Sequence, residues 1–169
     1  MAAPMFPVNA HRFDPYRTFK FQVVIDGEVV AGLQKMGALK KTTEPVKWRD
    51  AGSPSFQRTM PGGTSYEPVT LEQGLSHDLV FERWANMVNS FDGDVATSLK
   101  NYRKNISINV LNLQGVVAIS YKLFRAWVSD YQALPDLDSN SMNTVGIQSI
   151  TLQHEGWQRD ESVAEPAES

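Results

Sequence analysis

Cysteine is absent from all 169 residues, which excludes disulfides and thiolate metal sites. Histidine is scarce. His11, His77 and His154 are the three in the chain, and no two have metal-ligand spacing. His154-Glu155 begins like a zinc-protease motif, but Gln158 stands where the second histidine would be needed. Long apolar runs are also lacking; none approaches the ~20 residues of a membrane helix, so the chain is not expected to insert in a membrane. Residues 1–10 have neither a basic start nor a sustained apolar core, and no secretory signal is expected. Basic excess is missing too. Four of the 19 acids lie in residues 160–169, which hold no base, and the other 15 face 16 Lys and Arg. The body is therefore near neutral and carries no nucleic-acid footprint.

What is present is an ordinary globular composition, 41% hydrophobic and 21% charged, in a length that fits one domain with a sizeable core. Residues 1–13 hold two prolines and no periodicity and read as an arm. Residues 14–159 read as one β-domain. The acidic tail, 160–169, is expected to be disordered because it has almost no apolar content.

Within the body, Thr18 to Ile25 alternates as a strand, and Asp26-Gly27 follows as a hairpin turn. Glu28 to Met36 returns, and Leu39 to Val46 is extended. Residues 48–64 read as a long connection with two prolines and three glycines, yet they carry Trp48, Phe56 and Met60. Glu67 to Leu75 is a strand. Ser76 is placed as the N-cap of a helix over about 76–91, with Val80, Trp84, Met87, Val88 and Phe91 on one face and Asp92-Gly93 at its end. Strands follow at 105–111, 116–128 and 144–154. In the last, the apolar positions shift from odd to even near Gln148, which suggests a bulge. The fold class is mainly β: an antiparallel two-sheet sandwich or barrel with one flanking helix.

Catalytic constellations are missing. Ser76-His77-Asp78 places three catalytic residue types side by side, but a triad forms by convergence in space, and a helix start explains them better. Pro61-Gly62-Gly63-Thr64 lacks the Lys-Ser/Thr of a phosphate loop and reads as a turn. Residues 136–140 have acidic spacing without the glycine and terminal glutamate of a calcium loop. Asn105-Ile106-Ser107 matches a glycosylation acceptor but lies inside a strand. No enzyme activity and no cofactor are expected.

A series of short pieces in order carries a family resemblance. They are Asp14-Pro15-Tyr16 with Phe19 and Phe21, Ile25-Asp26-Gly27, Ala31-Gly32-Leu33, Glu44 and Met60-Pro61-Gly62. Further on come Val69-Thr70-Leu71 with Gly74, Trp84, Trp127 and Leu152-Gln153-His154-Glu155-Gly156. From Asp14 to Arg159 the chain resembles the tail tube proteins of contractile phage tails and extracellular contractile injection systems, a family similar in fold to the type VI secretion tube protein. The resemblance implies hexameric rings stacked into a hollow tube inside a sheath, which drives the tube through a target envelope while cargo passes along the lumen. The implied partners are further copies of the chain, sheath, baseplate and tube-initiator proteins, tape-measure and terminator proteins, and cargo. The implied location is the bacterial cytoplasm during assembly, then a virion tail or released particle; a chain without cysteine suits both redox environments. Trp48, Arg49, Phe56, Arg58 and Met60 are the expected ring-to-ring contacts, together with the arm. Lys20, Gln22, Ser107 and Asn109 are the candidates to face the lumen. A baseplate tube initiator and a monomeric effector adaptor are the alternative readings. Around positions 48–52 the chain has Trp-Arg-Asp-Ala-Gly where the family often has aromatic and Gly-rich residues, so these loop contacts differ.

Overall fold

The computed structural model describes residues 5–52, 55–89, 91 and 100–168. Among the described residues, ten strands and one helix run in the order β1 (Phe21–Ile25), β2 (Glu28–Val29), β3 (Leu33–Met36), β4 (Lys41–Trp48), β5 (Arg58–Tyr66), β6 (Val69–Gly74), α1 (Val80–Val88), β7 (Lys104–Leu111), β8 (Val117–Gln132), β9 (Ile147–Gln153) and β10 (Gly156–Arg159). All strand pairs are antiparallel. The main order is β2-β1-β7-β8-β9-β6-β3, with β10 also on β8, and β4-β5 stand apart as a two-stranded hairpin.

The first half of β8 pairs with β7 and β10 and its second half with β9, so this 16-residue strand belongs to two sheets. The passage is made at Arg125, which has φ 54. A left-handed non-glycine residue costs roughly 1–2 kcal/mol. The peptide group leading into it is held at both of its polar atoms: Asn105 Oδ1 accepts from the Arg125 N–H at 3.0 Å, and the Phe124 carbonyl accepts from the Glu155 N–H at 3.0 Å.

Alternation packs the core. Val23 and Ile25 of β1, Ile106 and Ile108 of β7, and Leu123, Ala126 and Val128 of β8 are buried together with Val69, Leu71, Ile150 and Leu152. Phe81 and Trp84 of α1 close it, and the Trp84 indole N–H donates to the Tyr102 carbonyl at 2.7 Å. Asp26 and Gly27 both have positive φ, as a tight type I′ hairpin requires. The return strand divides: β2 stays with β1, while β3 begins after Gly32 (φ 67) and joins β6.

Several sequence expectations are corrected. The helix starts at Val80, not Ser76, and ends at Val88. Ser76 Oγ instead accepts from the Asp78 N–H at 3.3 Å, and the Asp78 carboxylate accepts the Val80 N–H at 3.1 Å. Phe91 lies beyond the helix, fully exposed, and the expected stop at Asp92-Gly93 lies outside the described residues. Residues 48–64 are not one long connection: Arg58–Tyr66 pairs with Lys41–Trp48 and leaves only 49–57 as the loop. Pro61 and Gly62 are strand residues, Pro61 lying opposite Pro45.

The bulge expected at Gln148 is absent from β9, whose register with β6 is unbroken; the irregularity is on β8, between Val128 and Asp130. Gln148 points inward because its amide is satisfied. Gln73 and Gln148 are 1% and 5% exposed, and Gln148 Nε2 donates to Gln73 Oε1 at 2.7 Å. Gln73 Nε2 donates to the Ala31 carbonyl at 2.5 Å and to Asp78 at 3.1 Å. Tyr131 donates to Gln148 Oε1 at 3.3 Å, and burial, with Glu82 nearby, pushes its phenol above the ordinary range.

The tail expected to be disordered is folded through residue 168 onto the N-terminal arm. Glu165 accepts from the backbone N–H groups of Val8 and Asn9 at 3.0 and 3.1 Å and from Asn9 Nδ2 at 2.7 Å. Arg12 Nη1 lies 2.7 Å from both oxygens of Glu168, with its guanidinium over the rings of Phe6 and Tyr16. Carboxylates that composition assigns to solvent are thus consumed by amide and guanidinium donors 156 or 157 positions away. Arm and tail cover a cavity of about 650 Å³ lined by residues including Phe6, Phe21, Val110, Ile119 and Val163.

Two expectations follow. Gln148→Ala leaves the Gln73 carbonyl oxygen buried without its donor and should destabilise the fold by about 1–3 kcal/mol, read by urea unfolding; a change below about 0.5 kcal/mol contradicts this account of the pair. At the clasp, burial raises the Glu165 pKa, but the N–H donors of Val8 and Asn9, with Arg12, outweigh it and leave the group below its ordinary 4.5. A lowered carboxylate stabilises above its ordinary value and loses that contribution as pH falls through the folded one. The NMR signals of the Asn9 side-chain amide should therefore hold their folded positions from pH 7 to 4.5 and collapse to random-coil positions in stronger acid. Collapse already above that pH contradicts the assignment.

Candidate functional site

The β4–β5 hairpin makes little use of its own body. Every residue from Lys41 to Ser65 in its two strands is exposed. Val46, Trp48, Phe56 and Met60 are 45%, 43%, 56% and 45% exposed. Val46 stands opposite Met60, and Trp48 opposite Arg58, whose guanidinium carbon lies 5.6 Å from the Trp48 ring centre. Arg49 follows Trp48 at the start of the loop and Phe56 sits near its end, both exposed. The five residues expected to make ring-to-ring contacts are therefore gathered on one projecting element. Gly62 is what lets its strands close: a Cβ there would lie 2.8 Å from both the Glu44 carbonyl oxygen and Val46 Cγ2.

The hairpin is fixed at its root by the His-Glu-Gly sequence. His154 Nε2 donates to the Glu67 carbonyl at 2.9 Å, which places the proton on that nitrogen. Glu155 pairs with Arg125 at 3.1 Å, beside the β8 kink. Gly156 has φ 149, and a Cβ there would meet the Tyr66 ring at 3.3 Å. Tyr66, the last residue of β5, lies against Trp157 and His154, with ring centres 6.2 and 6.0 Å away. Lys41, opposite Tyr66, holds its ammonium 6.0 Å from the Trp157 ring centre. No sequence signal identified this role for the motif, because its partners lie about 90 positions upstream.

A second surface is the polar face of the first sheet. Register places Gln22 opposite Asn109 and Val24 opposite Ser107, and Asn109 opposite Ser120 and Ser107 opposite Lys122. Ser120 Oγ donates to Asn109 Oδ1 at 2.8 Å. Gln158 lies opposite Lys122. This face backs the core residues Val23, Ile25, Ile106 and Ile108. Three of the four lumen candidates thus share one carpet with Ser120, Lys122 and Gln158, which sequence reading did not pick. Lys20 precedes β1, and its ammonium turns to the Leu113 carbonyl at 2.6 Å. Among the described residues no group of three or more His, Asp or Glu is placed to hold a metal, and no helix is long and apolar enough to cross a membrane.

No curated protein sequence matches the chain. Among solved structures, one chain in the anti-feeding prophage cap (its tube terminating cap) superposes with a TM-score of 0.73 at 21% identity, covering 88% of this chain and 93% of that one. A chain in the sheath–tube complex of an extracellular contractile injection system, PVC, in its extended state gives 0.71 at 20% identity, covering 86% and 91%. Hcp1 from Flavobacterium johnsoniae gives 0.53 at 15% identity, covering 89% and 100%. At these identities the likeness shows a shared fold. The sequence model described as T4-like virus tail tube protein gp19 matches residues 17–158, and the chain therefore belongs to the tail tube protein family.

Proposed function

We propose that this chain is an inner-tube subunit of a contractile tail or injection system, that six copies close into a ring, and that rings stack into a hollow tube. The observation that carries the reading is the β4–β5 hairpin, which holds Val46, Trp48 and Met60 in solvent on its two strands and Phe56 in solvent on its loop. An exposed apolar element of this kind is normally covered by a partner, and burial is worth about 25 cal/mol per Å² of apolar surface. The sheet ends at β2 and β3, and pairing between neighbouring copies would use such edges up. The polar carpet of Gln22, Ser107, Asn109 and Lys122 suits the wall of a water-filled channel through which cargo passes.

A sheath drives the tube through a target envelope, a baseplate and its initiator begin it, a tape measure sets its length and a terminator ends it. Subunits assemble in the bacterial cytoplasm and leave in a virion tail or a released particle. The hairpin makes the ring-to-ring contact. Replacing Trp48, Phe56 and Met60 together by Ala should leave a subunit with unchanged far-UV circular dichroism whose tubes no longer pellet in the ultracentrifuge. Pelleting at the wild-type yield would remove the hairpin from the contact. A wild-type chain that elongates only with baseplate partners would be the initiator, and one that stays monomeric and holds a ligand would be the adaptor.

A further inference from the structure

The hairpin leaves one end of the β3–β6–β9 ladder, and the loop joining β8 to β9 stands at the other. At the hairpin end, the Gly37 N–H donates to the Thr70 carbonyl and the Glu67 N–H to the Lys40 carbonyl, just beyond Met36, Val69 and Gln153. At the far end, Gly74 pairs with Ile147, and the Leu75 N–H donates to the Gly146 carbonyl at 3.0 Å. A copy displaced along these strands therefore brings its hairpin toward the 133–146 loop of the next. Contacts between unlike surfaces that repeat by translation build filaments.

The two surfaces match in chemistry. The hairpin's outer half carries Lys47, Arg49 and Arg58 against one acid, Asp50. Residues 130–146 carry Asp130, Asp136 and Asp138 and no Lys, Arg or His. The loop also exposes Leu134, Leu137, Met142 and Val145, at 60%, 75%, 89% and 66%, so each surface offers apolar side chains beside a net charge, positive on the hairpin and negative on the loop. Among the described residues, none of the ion pairs engages Lys47, Arg58, Asp130, Asp136 or Asp138. In the acidic segment 160–169, three of the four acids are already committed: Glu165 and Glu168 to the arm and Asp160 to Lys122.

We propose that the receiving surface for the hairpin is the 133–146 loop of a second copy, with Lys47 and Arg58 set against Asp136 and Asp138 and the apolar tip against Leu137 and Met142. This rests on the tube reading and adds the partner surface to it. Complementary charge of this kind fixes register and rejects wrong partners more than it adds affinity.

Charge reversal tests it. Lys47→Glu with Arg58→Glu, and separately Asp136→Lys with Asp138→Lys, should each give folded subunits, by circular dichroism, whose pelletable tube falls at least tenfold. The chain carrying all four substitutions should recover tubes to at least half the wild-type yield, a recovery that misfolding of either pair would not produce. Loop reversal that leaves elongation at the wild-type level overturns the pairing, as does a fourfold variant no better than either pair. A wild-type chain that forms no tubes overturns the underlying reading instead, which separates the two failures.

Discussion

The structure depends on one strand serving two sheets. β7, β1 and β2 hang on the first half of β8, and β9, β6 and β3 hang on the second. The change of sheet requires an extra residue against β7 between Leu123 and Ala126, where only Asn105 separates Ile106 from Lys104 on the partner. Arg125 takes up that residue in a left-handed conformation. Asn105 and Glu155 bond to the N–H and the carbonyl of the one peptide group that joins Phe124 to Arg125, which fixes the chain as it enters the kink. Its position then sets the start of β10, since Gly156 lies opposite Phe124. Gly156 in turn is where Tyr66 rests. A bend inside one sheet thus decides where the hairpin is rooted.

That root matters because a two-stranded hairpin has little stability of its own in water. This one is held from below by Tyr66 between His154 and Trp157, and by the His154 bond to the Glu67 carbonyl. Its own strands meet closely at Gly62, and Thr43 and Thr64 place their hydroxyls 2.9 Å apart across it. The result is an element rigid at its base whose apolar side chains have no seat on the body. The proposed ring-to-ring contact would give this bare element its cover, and the family to which the chain belongs is that of tail tube proteins.

The parts legible in the sequence were those governed by local alternation. Val23 and Ile25, Ile106 and Ile108, and the Asp26-Gly27 turn could be read from period two and turn chemistry, and the polar partners on the reverse face came with them. The misread parts were those where distant contacts override the local signal. Gln148 is polar yet buried, because Gln73 reaches it from another strand, so hydropathy shifted the apparent phase of β9. Pro61 and Gly62 look like a turn, and only the opposing Pro45 and the closeness of Glu44 make them strand residues. The acidic tail has a disordered composition, but its carboxylates find Asn9 and Arg12 at the other end of the chain. The hairpin residues were recognised as needing cover, while the His-Glu-Gly root that aims them was visible only as an unexplained motif.

Electron microscopy of the purified chain in negative stain, across a concentration series, is the most direct measurement of the central claim. Hollow tubes of uniform width, appearing above a threshold concentration and built of stacked rings, are the expected result. A folded chain that remains monomeric at every concentration, with neither rings nor tubes, would contradict the account.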